Sequence, residues 1–208
     1  MRKYYIVIIA LLVLSCCKKD DSSSSTFTKD SYPLAVGNWW QYQVNQTYEG
    51  GGYDTILLNV LSANTITPYT KYICNITLNG RVIDSGYFLQ SDTSLTFVNS
   101  LPSPYFSLFP NFHLKFPVSI GQFWDGSFSG DSVLVVGVAN TCSFNSHTYG
   151  PCYYTNESYN MPHNFKRETM TLAPKVGLIK QSMDFNSDTA EGGVQVNQSI
   201  TLINFNVQ

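Results

Sequence analysis

Apolar and polar residues alternate at a period of two along most of the chain beyond residue 38, which is the signature of half-buried strands. The pattern predicts strands over 39–45, 55–61, 95–98, 132–138, 152–159, 168–172, 176–185 and 195–207. In the last of these, Thr201, Ile203, Phe205 and Val207 share a face. The run 132–138 is apolar throughout after its first residue, which predicts burial on both sides. No window of eleven or more residues carries a helical period. The segment "KYICNITLNGRVIDSGYF" centres on Asn79-Gly80, the dipeptide that best tolerates the two positive φ angles of a type I′ turn. A two-residue loop there sets Leu78 opposite Arg81, Ile76 opposite Ile83, Cys74 opposite Ser85 and Tyr72 opposite Tyr87. Tyr72, Ile76, Ile83 and Tyr87 then form an apolar strip with Cys74 buried in it.

Turn signals recur every ten to fifteen residues ("EGGGYD", "NG", "SGD", "YGP", "EGG"), a spacing that argues a barrel, a half-barrel or a sandwich. The expected class is all-β: a strongly curved antiparallel sheet, closed or half-closed as a barrel. One internal echo adds to this. "YPLAVGNWW" from Tyr32 and "FPVSIGQFW" from Phe116 agree as aromatic, Pro, aliphatic, any, aliphatic, Gly, amide, aromatic, Trp. Each copy reads as a proline-led approach, a glycine turn and a tryptophan that opens a strand. Two related halves, about 32–115 and 116–208, are therefore expected to share one core within a single β domain, 32–208.

The first thirty residues follow a different pattern. A basic start, Met1-Arg2-Lys3, precedes an uncharged apolar run over 6–14, too short to span a bilayer and of the length of a signal-peptide core. The run ends Val13-Leu14-Ser15-Cys16, which resembles the lipobox of bacterial lipoproteins. The resemblance implies removal of 1–15 and a diacylglyceryl group on the Cys16 thiol, with Cys17 as the second choice. A disulfide or metal pair is the competing reading of the adjacent cysteines. Their β-carbons diverge, and no second cluster lies near to complete a zinc site. Residues 16–31 then read as a lipidated cysteine and a serine-rich flexible tether. Lys19-Asp20-Asp21 resembles the export signal of surface-exposed Bacteroidetes lipoproteins, although a solvated charge run reads the same way. The paired "PLxxGxxW" elements and "APKVGLIK" from Ala173 resemble a broad set of Bacteroidetes-type outer-membrane lipoproteins. In them a glycine-rich element at this place closes a curved antiparallel sheet. Lys175 stands here where such proteins often carry glycine. The resemblance implies a fold and an address, the outer membrane through a lipid anchor, and brings no catalytic residue.

Composition narrows the function classes. Charged residues are 12% and aromatic residues 14% of the chain, the texture of an extracytoplasmic β protein. The formal charge of −2 and the absence of a basic patch exclude nucleic acid as a partner. Beyond the leader, Cys142 and Cys152 flank "SFNSHTYGP", a stretch that could fold as a hairpin and let them bridge in an oxidising compartment.

The search for chemistry is largely negative. "GSFSG" at Gly126 has Phe128 where a nucleophile elbow needs serine. His113, His147 and His163 stand apart, without a second ligand at metal spacing. Asp184, Asn186 and Asp188 match the first three oxygen positions of a calcium loop, but Thr189 replaces its glycine and Gln195 its glutamate; a polar hairpin is the other reading. Glu157 and Glu168 could face one another on neighbouring strands as a hydrolytic pair. No cofactor motif is present. Two aromatic groups are candidates for contact with an apolar or carbohydrate ligand. Tyr105, Phe106, Phe109 and Phe112 sit in the proline-rich stretch 100–117, and Tyr149, Tyr153 and Tyr154 sit near a strand start. Packing of the first group beneath the two halves, as a connector, is the alternative. The expected function is a membrane-anchored, non-catalytic binding lipoprotein; a glycan-processing hydrolase and a structural or lipoprotein-carrier-like envelope protein are the alternatives.

Overall fold

The alternating runs become strands in the computed structural model, which describes residues 26–46, 52–99, 109, 111–126, 132–161, 164–187 and 194–208. After a 3-10 turn over Lys29–Ser31 come β1 (Trp39–Gln46), β2 (Gly52–Ile66), β3 (Tyr69–Leu78), β4 (Arg81–Gln90), β5 (Ser94–Asn99) and β6 (Phe112–Lys115). Then follow β7 (Phe123–Asp125), β8 (Ser132–Ala139), β9 (Cys142–Phe144), β10 (His147–Tyr149), β11 (Cys152–Met161), β12 (Asn164–Ala173), β13 (Gly177–Ser187) and β14 (Val194–Asn206). Twelve of them form one antiparallel sheet in the order β6-β5-β4-β3-β2-β1-β14-β13-β12-β11-β8-β7, and β9 with β10 forms a separate hairpin. The sheet nearly closes into a barrel. Its two edges meet where the Trp124 indole N–H donates to the carbonyl of His113 at 3.0 Å.

The sheet order resolves into two six-stranded meanders, β1–β6 and β7, β8, β11–β14, joined along β1 and β14. The echoed sequences begin both meanders; they share the glycine turn and the buried tryptophan, and differ at the proline, where Phe116-Pro117 is cis and Tyr32-Pro33 is not. Gly37 and Gly121 adopt positive φ, 89° and 78°, where a side chain would be strained. Gly37 N–H donates to Val60 O and Val60 N–H to Asn38 O, each at 2.9 Å; Gly121 N–H donates to Val135 O at 2.9 Å and Val135 N–H to Gln122 O at 3.0 Å. Each turn thus clamps the strand beside it. One residue beyond each clamp the strand bulges, at Leu61 and at Val136. The correspondence runs across the sheet: the row Val60, Cys74, Gly86, Asn99 is matched by Val135, Thr155, Met170, Gln181. Trp40 and Trp124, both buried, each donate the indole N–H to a carbonyl, Val176 at 2.7 Å for Trp40 and His113 for Trp124.

The inward faces make one continuous aromatic-rich core. Phe88 and Phe97 lie 4.7 Å apart, Phe97 meets Phe109 edge-on at 4.9 Å, and Tyr42 lies 5.3 Å from Phe109. Fully burying one such ring contributes about 1.5–3 kcal/mol. At the seam, Phe27 is fully buried, bridges Val118 and sits edge-on to Tyr153 at 5.4 Å. Phe27, within the serine-rich stretch read as a tether, thus packs against the body.

β-bulges account for most departures from the expected pattern. The turn at Asn79-Gly80 forms with φ of 50° and 79°, and Leu78 faces Arg81. A bulge at Ile83 then slips the ladder, so that Ile76 faces Asp84, Cys74 faces Gly86 and Tyr72 faces Phe88. The inward strip on β4 is Gly86 and Phe88; Ile83 is exposed and Tyr87 lies outside under the Lys71 ammonium, 4.1 Å from the ring centre. Cys74 is a buried free thiol. On β14 the inward set is Val196, Ile200 and Leu202, and a bulge at Ile203 returns Phe205 to the core side. The run on β8 alternates after all: Val133 and Val135 are buried, Leu134, Val136 and Val138 exposed.

Candidate functional site

The structure separates the sequence candidates by face. Phe109 and Phe112 are fully buried among Tyr42, Phe88 and Phe97, so their rings are consumed by packing and present no face to a ligand. This corrects the ligand reading of that pair. Tyr105 and Phe106 lie outside the described residues. The tyrosines near the start of β11 are split by the strand's own alternation. Tyr153 points into the core, Tyr154 lies half-buried on the outer face beside Gly137, and Tyr149 packs on His147 with centroids 6.2 Å apart. They make no common platform. Asp184 and Asn186 are exposed positions on the straight run of β13, two residues apart, where an extended backbone cannot wrap them round an ion as a loop would; Asp188 lies outside the described residues. Cys142 and Cys152 are joined by a disulfide that closes the β9–β10 hairpin. His113 Nδ1 lies 2.7 Å from Thr96 Oγ1, and burial lowers its pKa. Cys16 and His163 lie outside the described residues.

Glu157 and Glu168 do face one another in register across β11 and β12, and both carboxyls are fully buried. One ammonium serves both: Lys166 Nζ lies 2.9 Å from Glu168 Oε2 and 3.6 Å from Glu157 Oε1. Gln181 donates its amide N–H to Glu168 Oε1. Burial pushes the Glu168 carboxyl up to about 7, Lys166 opposing and Glu157 reinforcing the shift. The small gap beside Gln181, Met183, Gln198 and Ile200 has no room for a water molecule. The arrangement is a buried ionic cluster, without the separated, water-accessible carboxylates that glycoside hydrolysis uses.

An open groove lies instead on the outer wall of β1, β2 and β3, with a volume of about 510 Å³. Its floor is built from the residues that alternate with the core. Trp40, Tyr42, Ile56, Leu58 and Ile76 point inward, so Trp39, Gln41, Thr55, Leu57, Asn59 and Thr77 point outward, and Asn79-Gly80 closes the end. The lining is uncharged: one indole, one leucine, amides and hydroxyls. The amides of Gln41, Asn59 and Asn79 enter no side-chain hydrogen bond within the described residues, which leaves their donors and acceptors to the groove. Trp39 escaped the sequence search, although a signal was there. Two adjacent strand residues cannot both face the core, and the echo assigns Trp40 to it, so Trp39 must face out.

No family model matches the chain, and no curated protein matches it in sequence. Among solved structures it is similar to a Bacteroides fragilis protein described as exported and as having a YmcC-like fold. That match has 13% identity and a TM-score of 0.53 over 87% of this chain and 99% of that one. The likeness is one of fold. A Parabacteroides distasonis protein described as a lipoprotein matches at 13% identity and TM-score 0.40, covering 87% and 99% of the two chains. A LolA superfamily protein from Nitrosomonas europaea matches at 8% and 0.25, covering 87% and 90%. Scores that low carry no argument about this chain.

Proposed function

We propose that this chain is an exported lipoprotein, held to an outer membrane through Cys16, whose β body binds neutral carbohydrate in the Trp39 groove. The observation that carries the binding reading is the groove's chemistry. A single aromatic face supports the apolar side of a sugar ring, and surrounding amides and hydroxyls match its hydroxyl groups, with no charge to favour an ion. The interior does not compete for this role, since its inward faces within the described residues are packed with side chains. A lipoprotein carrier would need an open apolar cavity there. Export is supported by the Cys142–Cys152 disulfide, a bond that persists in oxidising compartments, and agrees with the description of the Bacteroides fragilis protein that shares the fold.

Neutral oligosaccharides titrated against the protein shift the tryptophan emission, and the shift is lost in Trp39→Ala while circular dichroism is unchanged. Trp40 and Trp124 are buried and serve as internal controls. An absence of response to every neutral glycan, or a response that survives Trp39→Ala, overturns the reading. Protease treatment of intact cells decides whether Lys19-Asp20-Asp21 acts as an export signal: a surface protein is cleaved, a periplasmic one is spared.

A further inference from the structure

Among the described residues, several exposed aliphatic side chains stand along the rim where the N-terminal segment enters, while Val82 and Ile83 are exposed at the other end. Phe27 bridges Val118, two residues before Ile120, and Lys175 N–H donates to Ser31 O at 2.7 Å, so the approach to the body runs along this rim. The pseudo-symmetry duplicates the apolar knobs. Val36 and Ile120 are the aliphatic tips of the two echoed turns, 50% and 69% exposed; Leu61 and Val136 are the two bulged residues beside them. At the same end the β2–β3 hairpin carries Ile66 and Tyr69, paired and exposed at its tip. Lys115 and Lys175 flank the rim, both exposed.

We infer that this rim is a bilayer-contacting face, docked on phospholipid with Val36, Ile66 and Ile120 at the apolar boundary and Lys115 and Lys175 at the headgroups. The inference rests on the anchor reading for its geometry. Ten residue steps lead from Cys16 to Thr26, a span of at most about 35 Å. An acyl group at Cys16 therefore holds this end within about 35 Å of the membrane. Short aliphatic knobs with flanking lysines suit the boundary between headgroups and acyl chains, where partial burial of apolar area combines with attraction to anionic lipid.

The test uses the full acylated chain reconstituted into vesicles of phosphatidylethanolamine and phosphatidylglycerol. A nitroxide is placed by Val36→Cys, Ile66→Cys or Ile120→Cys, and by Val82→Cys at the opposite end as the control. Collision with oxygen, which partitions into lipid, is compared with collision with a water-soluble nickel chelate. Labels at 36, 66 and 120 are expected to favour oxygen several-fold over the label at 82. A vesicle-bound, acylated protein whose rim labels match the control overturns the inference while leaving the anchor intact. A protein without a diacylglyceryl group on Cys16 that still shows rim labels in lipid removes the anchor reading and supports the rim. Rim labels immobilised without lipid contact, together with a doubled mass in solution, assign the rim to a second copy and overturn the inference.

Discussion

The ring of Tyr32 occupies the space that a β-carbon on Gly177 would need: Tyr32 Cζ lies 2.8 Å from that position. Tyr32 opens the first half of the chain and Gly177 begins β13 of the second, so this contact fastens the two halves at the rim. Gly177 also has a φ of 90°.

Gly177→Ala therefore meets both a steric clash and a strained backbone, and is expected to lower stability by about 2–4 kcal/mol. Two residues earlier, Lys175 holds a φ of 63° in the same turn, with its amide bound to Ser31. Its exposed side chain gains little there, so Lys175→Gly is expected to be neutral or to stabilise by up to about 1 kcal/mol. Urea midpoints of the two variants check the pair; equal losses would refute the assignment of strain to these positions.

Among the described residues, the Trp124 indole N–H ties one sheet edge to the other, whereas β1 and β14 are joined by a full ladder. Trp124→Phe is expected to cost about 1 kcal/mol. It should speed amide exchange in β6 and β7 about fivefold, with little change along β1 and β14. Hydrogen exchange read by mass spectrometry checks this, and uniform acceleration would count against a seam.

The ionic cluster makes stability depend on pH. Glu168 has a folded pKa raised from 4.5 to about 7, so the folded state holds the proton more tightly than the unfolded chain does. Stability from this group is complete below about 4.5 and is lost as pH rises towards 7. The wild type should lose on the order of 1–3 kcal/mol relative to Glu168→Gln across that window. Denaturation midpoints of both proteins at several pH values check the difference; parallel curves would show that Glu168 does not titrate there.

The disulfide joins residues ten apart on a hairpin that also packs against the core through Phe144 and Tyr149 and is tied to the body by further contacts. Among them are Asn145 Nδ2 donating to Leu202 O at 2.8 Å and the Lys180 ammonium over the Phe144 ring. Replacing both cysteines by serine is expected to lower stability by about 2–3 kcal/mol. Calorimetry of the variant, and of the wild type under reductant, should agree.

The chain's own pattern determined a good deal. Period-two alternation and the absence of a helical period determined an all-β meander, because side-chain direction in a strand depends only on parity. The echo at Tyr32 and Phe116 determined the two matched turns, because glycine at positive φ and a hydrogen-bonding tryptophan are local requirements legible in residue type. Asn79-Gly80 determined its turn and the first pair beyond it. Parity also contained the outward Trp39, given an inward Trp40. What only the tertiary structure decided lies wherever parity breaks or partners are distant. One extra residue at Ile83, Ile203 or Val136 re-aims the side chains beyond it, and nothing in residue type announces a bulge whose cause is the closing curvature of the sheet. Whether Phe109 and Phe112 face a ligand or the core depended on rings from Tyr42, Phe88 and Phe97. Whether Glu157 and Glu168 stand apart across a cleft or share Lys166 in the interior depended on a register that only folding sets.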